Sequence, residues 1–260
     1  MVNTFQKQRL LYCWMPQASI SNYIKSNCIE EEEKRLKDIL KNWANANNKF
    51  NEISSKEKGL AESIEVKDIP QDYNKKLEEI KSNVFFQRTF EQLPIEFKLV
   101  EIDKLIACQN LVMLDYIKKL TEKFSDKPNM EELINICLSL EKDYPQVSEL
   151  KLNEQTVIYS SENTDFRFLG AVQKPLEQID LKSASSGGIP IKGLLLLFGY
   201  GGASVNILKV GKKMFLNNGF HRVYALREKG VTHIPAVVQI VKNHLLEFPN
   251  IYQGVPREYL

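Results

Sequence analysis

The stretch that decides the fold is Asn217-Asn218-Gly219-Phe220-His221-Arg222-Val223-Tyr224-Ala225-Leu226. The residues before it, from Lys213, have an apolar character typical of a strand, and those after it are typical of a helix from Phe220 to about Lys229. A glycine between the two predicts a tight turn. The order is therefore strand, turn and helix.

The predicted turn has the chemistry of a phosphate site. The first turn of a helix leaves backbone N–H groups without an intrahelical acceptor and carries the positive end of the helix dipole. Arg222 can bind a phosphate through two parallel hydrogen bonds, and His221 can donate a proton or a hydrogen bond. Asn217 and Asn218 can hold the turn or touch a ribose or phosphate. The alternative is structural: Gly219 serves only the turn, and His221 packs.

The segments around this turn predict a mixture of helices and strands. The predicted strands are 97–102, 147–152, 156–160, 166–172, 193–198, 205–210, 213–216 and 234–241. The predicted helices beyond the N-terminal third are 111–124, 129–142 with Asn129 as its cap, and 220–229. Gly199–Gly202 is expected to form a hairpin-like loop.

The N-terminal third reads as helical. Apolar residues recur at helical spacing over about 30–54, and a second helix is expected over about 73–89 with Asp72 as a possible cap. The two helices fit either a packing layer or a dimerising or partner-binding coiled coil. The sequence leaves both readings open.

Four elements follow one another in this region: Gly219-Phe220-His221-Arg222, Ala225-Leu226, Gly230 and Ile234-Pro235-Ala236-Val237-Val238. Their order resembles a motif of the ParB/sulfiredoxin superfamily. Residues 100–120 are similar to the opening element of the same superfamily. The resemblance covers about 97–124 and 193–241. It implies an α+β fold, with a mixed sheet and flanking helices, preceded by a helical region.

The resemblance also implies a domain organisation. The helical N-terminal region spans 1–93, and the superfamily-like domain spans 94–246 with an insertion at about 125–192. Residues 247–260 form a C-terminal tail.

In this superfamily the turn binds nucleotide phosphates: CTP in ParB proteins, and ATP in sulfiredoxins and related free-serine kinases. The resemblance therefore implies ATP or CTP with Mg²⁺, bound by residues 217–222. Phe220 stands where sulfiredoxins carry their catalytic cysteine, so reduction of sulfinic acid is not expected. The helix-turn-helix of ParB proteins is not recognisable, so chromosome partitioning is not expected either.

A second candidate patch runs from Ser160 to Gly170. Asp165 is a candidate base or ligand of a metal–phosphate complex, and Arg167 a candidate phosphate contact. The alternative is an Asx-type turn in which Asp165 pairs with Arg167, because Ser, Asn and Asp favour turns for backbone reasons.

Composition narrows the protein class. The 260 residues are 43% apolar and 26% charged, which argues against a disordered chain, a collagen-like fibre and a membrane protein. The net charge is +2, yet residues 175–260 carry ten basic and five acidic side chains, so a polyanion would bind there. The four cysteines form no C-x-x-C pair and predict no metal site. A soluble cytoplasmic protein with reduced thiols is the expectation.

Two functional hypotheses follow. The first is an ATP- or CTP-dependent phosphotransferase or hydrolase with His221 and Asp165 as catalytic residues, Asp115 being a second candidate acid. The second is a non-catalytic nucleic-acid- or protein-binding module in plasmid, phage or defence biology. The expected partners are a nucleotide, and DNA or a protein through the N-terminal helices; a homodimer is left open, and no membrane partner is expected.

Overall fold

The computed structural model describes residues 8–27, 36–107, 109, 111–139, 146–153, 156–161, 166–177 and 192–248. Within these ranges the fold is α+β, with a mixed sheet and flanking helices as expected. The helices are α1 (Gln17–Asn27), α2 (Leu36–Glu57), α3 (Asn74–Ser82), α4 (Val84–Thr89), α5 (Leu114–Thr121), α6 (Met130–Leu138), α7 (Phe220–Glu228) and α8 (His244–Glu247). The strands are β1 (Gln8–Leu10), β2 (Val66–Asp68), β3 (Ile95–Glu101), β4 (Ile106–Ala107), β5 (Leu111–Met113), β6 (Ser148–Asn153), β7 (Thr156–Ser160), β8 (Phe166–Lys174), β9 (Gly193–Tyr200), β10 (Asn206–Val210), β11 (Lys213–Asn218) and β12 (His233–Val241).

The chain divides into two compact units. Residues 1–140 and 203–260 form the first, and residues 141–202 form the second. The second unit overlaps the insertion predicted at about 125–192.

The main sheet of the first unit has six strands in the order β2-β3-β12-β10-β11-β4. β12 lies at its centre, antiparallel to β3 and parallel to β10, while β11 is antiparallel to β10. Residues 234–239 of β12 are all buried. An unbroken buried run is typical of a strand that is covered on both faces.

Both faces of this sheet are packed. On one face Ile207 and Leu216 belong to a large cluster that includes residues of α6 and α7, among them Ile134 and Leu226. Their neighbours along the same strands belong to the second, smaller cluster. That cluster consists of Ala61, Ile106, Leu208, Phe215 and Val241. Successive side chains of β10 and β11 thus pack into two different apolar layers, because successive side chains of a strand point to opposite faces.

The N-terminal third is mainly helical, as predicted, with differences in detail. α2 confirms the predicted helix from residue 36 onward; residues 30–35 lie outside the described ranges. The helix expected over 73–89 is broken at Asn83, whose side chain accepts hydrogen bonds from the amides of Phe85 and Phe86 and so starts α4. Asp72 is not a cap: it lies in a short 3₁₀ helix, and no side chain caps α3.

Short strands account for the other differences. The helix expected over 111–124 begins only at Leu114, because residues 111–113 form β5, antiparallel to β1. β2 pairs with β3, so the N-terminal region contributes an edge strand to the main sheet. The Asn129 cap is confirmed: its side chain accepts from the Glu132 amide.

The second unit contains two antiparallel hairpins, β6–β7 and β8–β9. The predicted strands are present, and β9 continues through Gly199 and Tyr200, where a loop was expected. Tyr159 of β7 stacks on Phe198 of β9 with ring centroids 5.1 Å apart. None of the helices in the described ranges has the length and apolar character needed to cross a membrane.

Candidate functional site

The predicted strand–turn–helix forms, and Gly219 is the residue that permits it. β11 ends at Asn218, Gly219 has φ +97°, and α7 begins at Phe220. A β-carbon at Gly219 would lie 2.9 Å from Cγ2 of Val205. Glycine is therefore required twice, once for a left-handed backbone and once for the close approach of the neighbouring loop.

Asn217 and Asn218 hold the turn against the loop that leads into β10. The side-chain Nδ2 of Asn217 donates to Oδ1 of Asn206 at 2.7 Å, and the side-chain Nδ2 of Asn218 donates to the backbone carbonyl of Ser204 at 3.1 Å. Asn206 is buried, and its own Nδ2 donates to the backbone carbonyl of Val237 at 3.3 Å. Contact with a ribose or phosphate stays a prediction for both residues. Structural hydrogen bonding, the other role considered for them, is present.

Arg222 belongs to α7, and its side chain contacts the carboxyl-terminal end of α6. Its Nη1 donates to the carbonyl of Ile136 at 3.0 Å. A guanidinium there satisfies a helix carbonyl and meets the negative end of the helix dipole. Next to it, burial raises the pKa of the Cys137 thiol to about 12, with Arg222 opposing the shift. Cys137 is therefore a neutral, packed thiol and not a nucleophile.

The next two carbonyls of α6 are bonded by the loop before β10. The Val205 amide donates to the carbonyl of Cys137 at 2.6 Å, and the hydroxyl of Ser204 donates to the carbonyl of Leu138 at 3.4 Å. Together with Arg222, they bind the end of α6 to the turn that opens α7. The polar residues around Gly219 consequently hold α6 and α7 together, in addition to forming the candidate site.

His221 is directed to a different neighbour, β5 and the start of α5. Its Nε2 accepts from the Met113 amide at 3.2 Å, and its ring meets Tyr116 edge-on with centroids 5.4 Å apart. Because Nε2 accepts, the neutral ring carries its proton on Nδ1. Burial lowers the pKa of His221 below its usual 6.5. Near neutral pH the side chain is therefore an uncharged Nδ1–H donor.

This burial gives a prediction for stability. The contribution of neutral His221 is fully present above about pH 6.5 and is lost as the pH falls toward the lower pKa of the folded state, because the unfolded chain then binds the proton more readily. Urea unfolding of the parent and of His221→Gln should be measured from about pH 8 down to about pH 5. We expect the parent to lose more free energy of unfolding over that range. Equal losses would show that His221 is not held neutral by the fold.

One side of α7 is covered by the N-terminal strand, which the sequence did not predict. Arg9 of β1 donates to the hydroxyl of Tyr224 and lies 3.7 Å from the carboxylate of Glu228. β1 in turn pairs with β5, the strand whose Met113 bonds His221. Residues of two short strands, β1 and β5, thus meet at α7.

The remaining predicted residues are Phe220, Asp115, Arg167 and Asp165. Asp165 is outside the described residues, and Arg167 is exposed on β8 of the second unit. Phe220 is half-buried against the main core. Asp115 is exposed in the first turn of α5, next to Tyr116. The structure therefore brings together residues 217–222 and places Asp115 on a helix that packs against α7.

Two further features are the arrangement of possible metal ligands and the position of a cleft. Within the described ranges, no group of three or more His, Cys, Asp or Glu residues is arranged to hold a metal ion. A cleft of about 330 Å³ lies beyond the carboxyl-terminal end of α7, where Leu99, Lys229 and His233 line it. That cleft is distinct from the Gly219 turn, which lies at the opposite end of the helix.

The first turn of α7 has the helix-dipole end that favours an anion, and His221 and Arg222 are residues of the same turn. Ser204 and Asn206 were missed by the sequence reasoning. Their signal was that each is a polar residue between two apolar ones, Ser204 in the loop before β10 and Asn206 at its first position, which indicates a buried hydrogen bond. In comparisons with known proteins, no family model, no curated protein and no solved structure matches this chain.

Proposed function

We propose that the chain is a ParB/sulfiredoxin-like protein that binds the phosphates of a nucleoside triphosphate, ATP or CTP, at the first turn of α7. The observation that carries the proposal is the left-handed Gly219 between β11 and α7. That backbone ends the strand and begins the helix within one residue, and the first amides of a helix have no intrahelical acceptor and carry the positive end of its dipole.

Arg222 and His221 supply the side-chain chemistry. Arg222 already donates one N–H to Ile136, and a guanidinium has five N–H donors in a planar fork, so a second contact to a phosphate is compatible with its structural role. His221 contributes a neutral N–H, which adds a hydrogen bond without a fixed charge. Both residues lie in the first turn of α7.

In the enzymatic form of the proposal, the protein is a phosphotransferase or hydrolase. Mg²⁺ usually binds through one or two carboxylates together with substrate phosphates, so a single protein acid suffices. Asp115, on the helix that packs against α7, or Asp165 would act as this ligand or as the base. When bound, Mg²⁺ would neutralise charge on the transferred phosphoryl group.

A nucleotide panel tests the proposal. ATP, CTP, GTP and UTP with Mg²⁺ are titrated calorimetrically into the full chain and into Arg222→Lys. We expect ATP or CTP to bind, and the lysine variant to bind about tenfold more weakly, because an ammonium cannot form the fork. Arg227→Lys is the matched control: Arg227 is on the same helix, exposed, and paired with Asp103. The proposal would be contradicted if neither ATP nor CTP binds, or if the parent chain and Arg222→Lys bind the nucleotide with equal affinity.

Phosphate release in the same samples separates the enzyme from the binding module. If the protein is an enzyme, His221→Ala should lower turnover more than affinity, because the histidine then acts on the reacting phosphate. If the protein only binds nucleotide, phosphate release stays at the level of the protein-free reaction and only affinity falls. A parallel titration with duplex DNA tests the nucleic-acid form of the second hypothesis.

A further inference from the structure

β9 exposes an unusual amount of apolar surface. Its five consecutive apolar residues, Leu194 to Phe198, each expose between 39% and 65% of their surface. Three residues of β8 are also about half exposed: Phe168, Leu169 and Val172. At on the order of 90 Å² for each half-exposed side chain, the hairpin shows about 700 Å², divided between its two faces because successive side chains of a strand alternate. Each face therefore shows roughly 350 Å² of apolar surface, the size of the largest apolar patch on a typical monomer, which is often an interaction surface.

The two edges of the hairpin differ. β8 carries Arg167 and Lys174, and its ladder is interrupted by a bulge between Phe168 and Gly170. Charges and bulges are the usual devices that prevent an edge strand from pairing. β9 carries no charge and no proline, and among the described strands it pairs only with β8. Within the described residues, its second edge therefore has no strand partner and none of these devices.

The sequence of β9 is complementary to itself when reversed. If two copies run antiparallel with Leu196 opposite Leu196, then Leu195 meets Leu197, Leu194 meets Phe198 and Gly193 meets Gly199. Every facing pair is apolar–apolar or glycine–glycine, and no like charges meet within the strand. A strand that is symmetric about its own centre fits the two-fold axis of a homodimer.

We propose that the chain forms a homodimer in which β9 pairs antiparallel with β9 of a second copy, with the two-fold axis beside Leu196. The two hairpins then form one four-stranded sheet with β8 at both outer edges. Isolated two-stranded hairpins are marginal in water, and three or more strands with an apolar face are stable. The protected β8 edges stop the association at two copies.

The mass of the full chain in solution tests the proposal. Sedimentation velocity over about a hundredfold range of concentration should show a species of twice 30.0 kDa that dissociates on dilution. Leu196→Lys places two ammonium groups opposite each other at the axis, and we expect the dimer Kd to rise at least about tenfold. Val172→Lys is the control: it adds the same charge at a half-exposed position on β8, and the dimer should persist.

Charge rescue makes the test specific to the axis. Leu196→Lys and Leu196→Glu should each dimerise more weakly alone than the parent does, and should form a tighter heterodimer when mixed, because only a symmetric pairing sets position 196 against itself. Three results would overturn the proposal: a monomer at every concentration, a dimer unaffected by Leu196→Lys, or open-ended oligomers. Monomer binding to phosphatidylcholine–phosphatidylserine vesicles in place of dimerisation would also overturn it and would assign the hairpin to a lipid surface.

Discussion

Gly219→Ala is expected to lower the free energy of unfolding by about 2–5 kcal/mol. An L-residue at φ +97° has a strained backbone, which costs about 1–2 kcal/mol. The new methyl group would also lie 2.9 Å from Cγ2 of Val205, and relieving that overlap costs roughly 1–3 kcal/mol. Urea unfolding followed by far-UV circular dichroism measures the sum.

Two further variants separate the backbone cost from the steric cost. Gly230 also has a positive φ, +78°, but a β-carbon there meets no atom within 4 Å, so Gly230→Ala should lose only the backbone part. In a double-mutant cycle, Val205→Ala should restore about 1 kcal/mol or more to Gly219→Ala, because it removes the facing methyl. If Gly219→Ala and Gly230→Ala lose the same free energy of unfolding, the loop before β10 moves away from the new methyl group at little cost. The contact between that loop and Gly219 would then not be a tight one.

The strand–turn–helix around Gly219 could be predicted because its signals are local. Apolar residues before the glycine and helix-forming residues after it lie within about ten positions, and β11 and α7 form where expected. The same holds for α6, where the Asn129 cap is adjacent in sequence to the helix it begins. Local propensity and tertiary structure agree at both places.

The partners of Arg222 and His221 could not be predicted. Ile136 is 86 residues from Arg222, and Met113 is 108 residues from His221. A single sequence contains no signal that selects one carbonyl or amide at such a distance. Phosphate contacts of both side chains were predicted from the sequence and stay a prediction, whereas their structural hydrogen bonds were not predicted.

Short strands were the other failure of prediction. β5 has three residues and continues directly into α5, so its apolar residues read as the beginning of the helix. β2 has three residues that are all exposed, and exposed residues give no alternating pattern. Pairing with β1 and β3, respectively, decides their conformation. Tertiary context therefore overrides a local pattern in both cases.

Arg222→Ala is expected to destabilise the fold by about 2–4 kcal/mol. The substitution leaves the Ile136 carbonyl without its charged donor, which costs about 1.5–3 kcal/mol, and removes a cation from the negative end of α6. Thermal or urea unfolding measures the loss. Arg222→Lys keeps the charge and should recover roughly half of it, since the ammonium lacks the planar fork.

Arg227→Ala is the control that isolates this role. Arg227 lies on the same helix, but its side chain is 62% exposed and its ion pair with Asp103 is at the surface, so its loss should be below about 1 kcal/mol. If Arg222→Ala is equally harmless while nucleotide affinity falls, the guanidinium serves the ligand and not α6. If stability falls while affinity measured well below the melting temperature is unchanged, Arg222 only joins the two helices, and the proposed phosphate site at the first turn of α7 is contradicted.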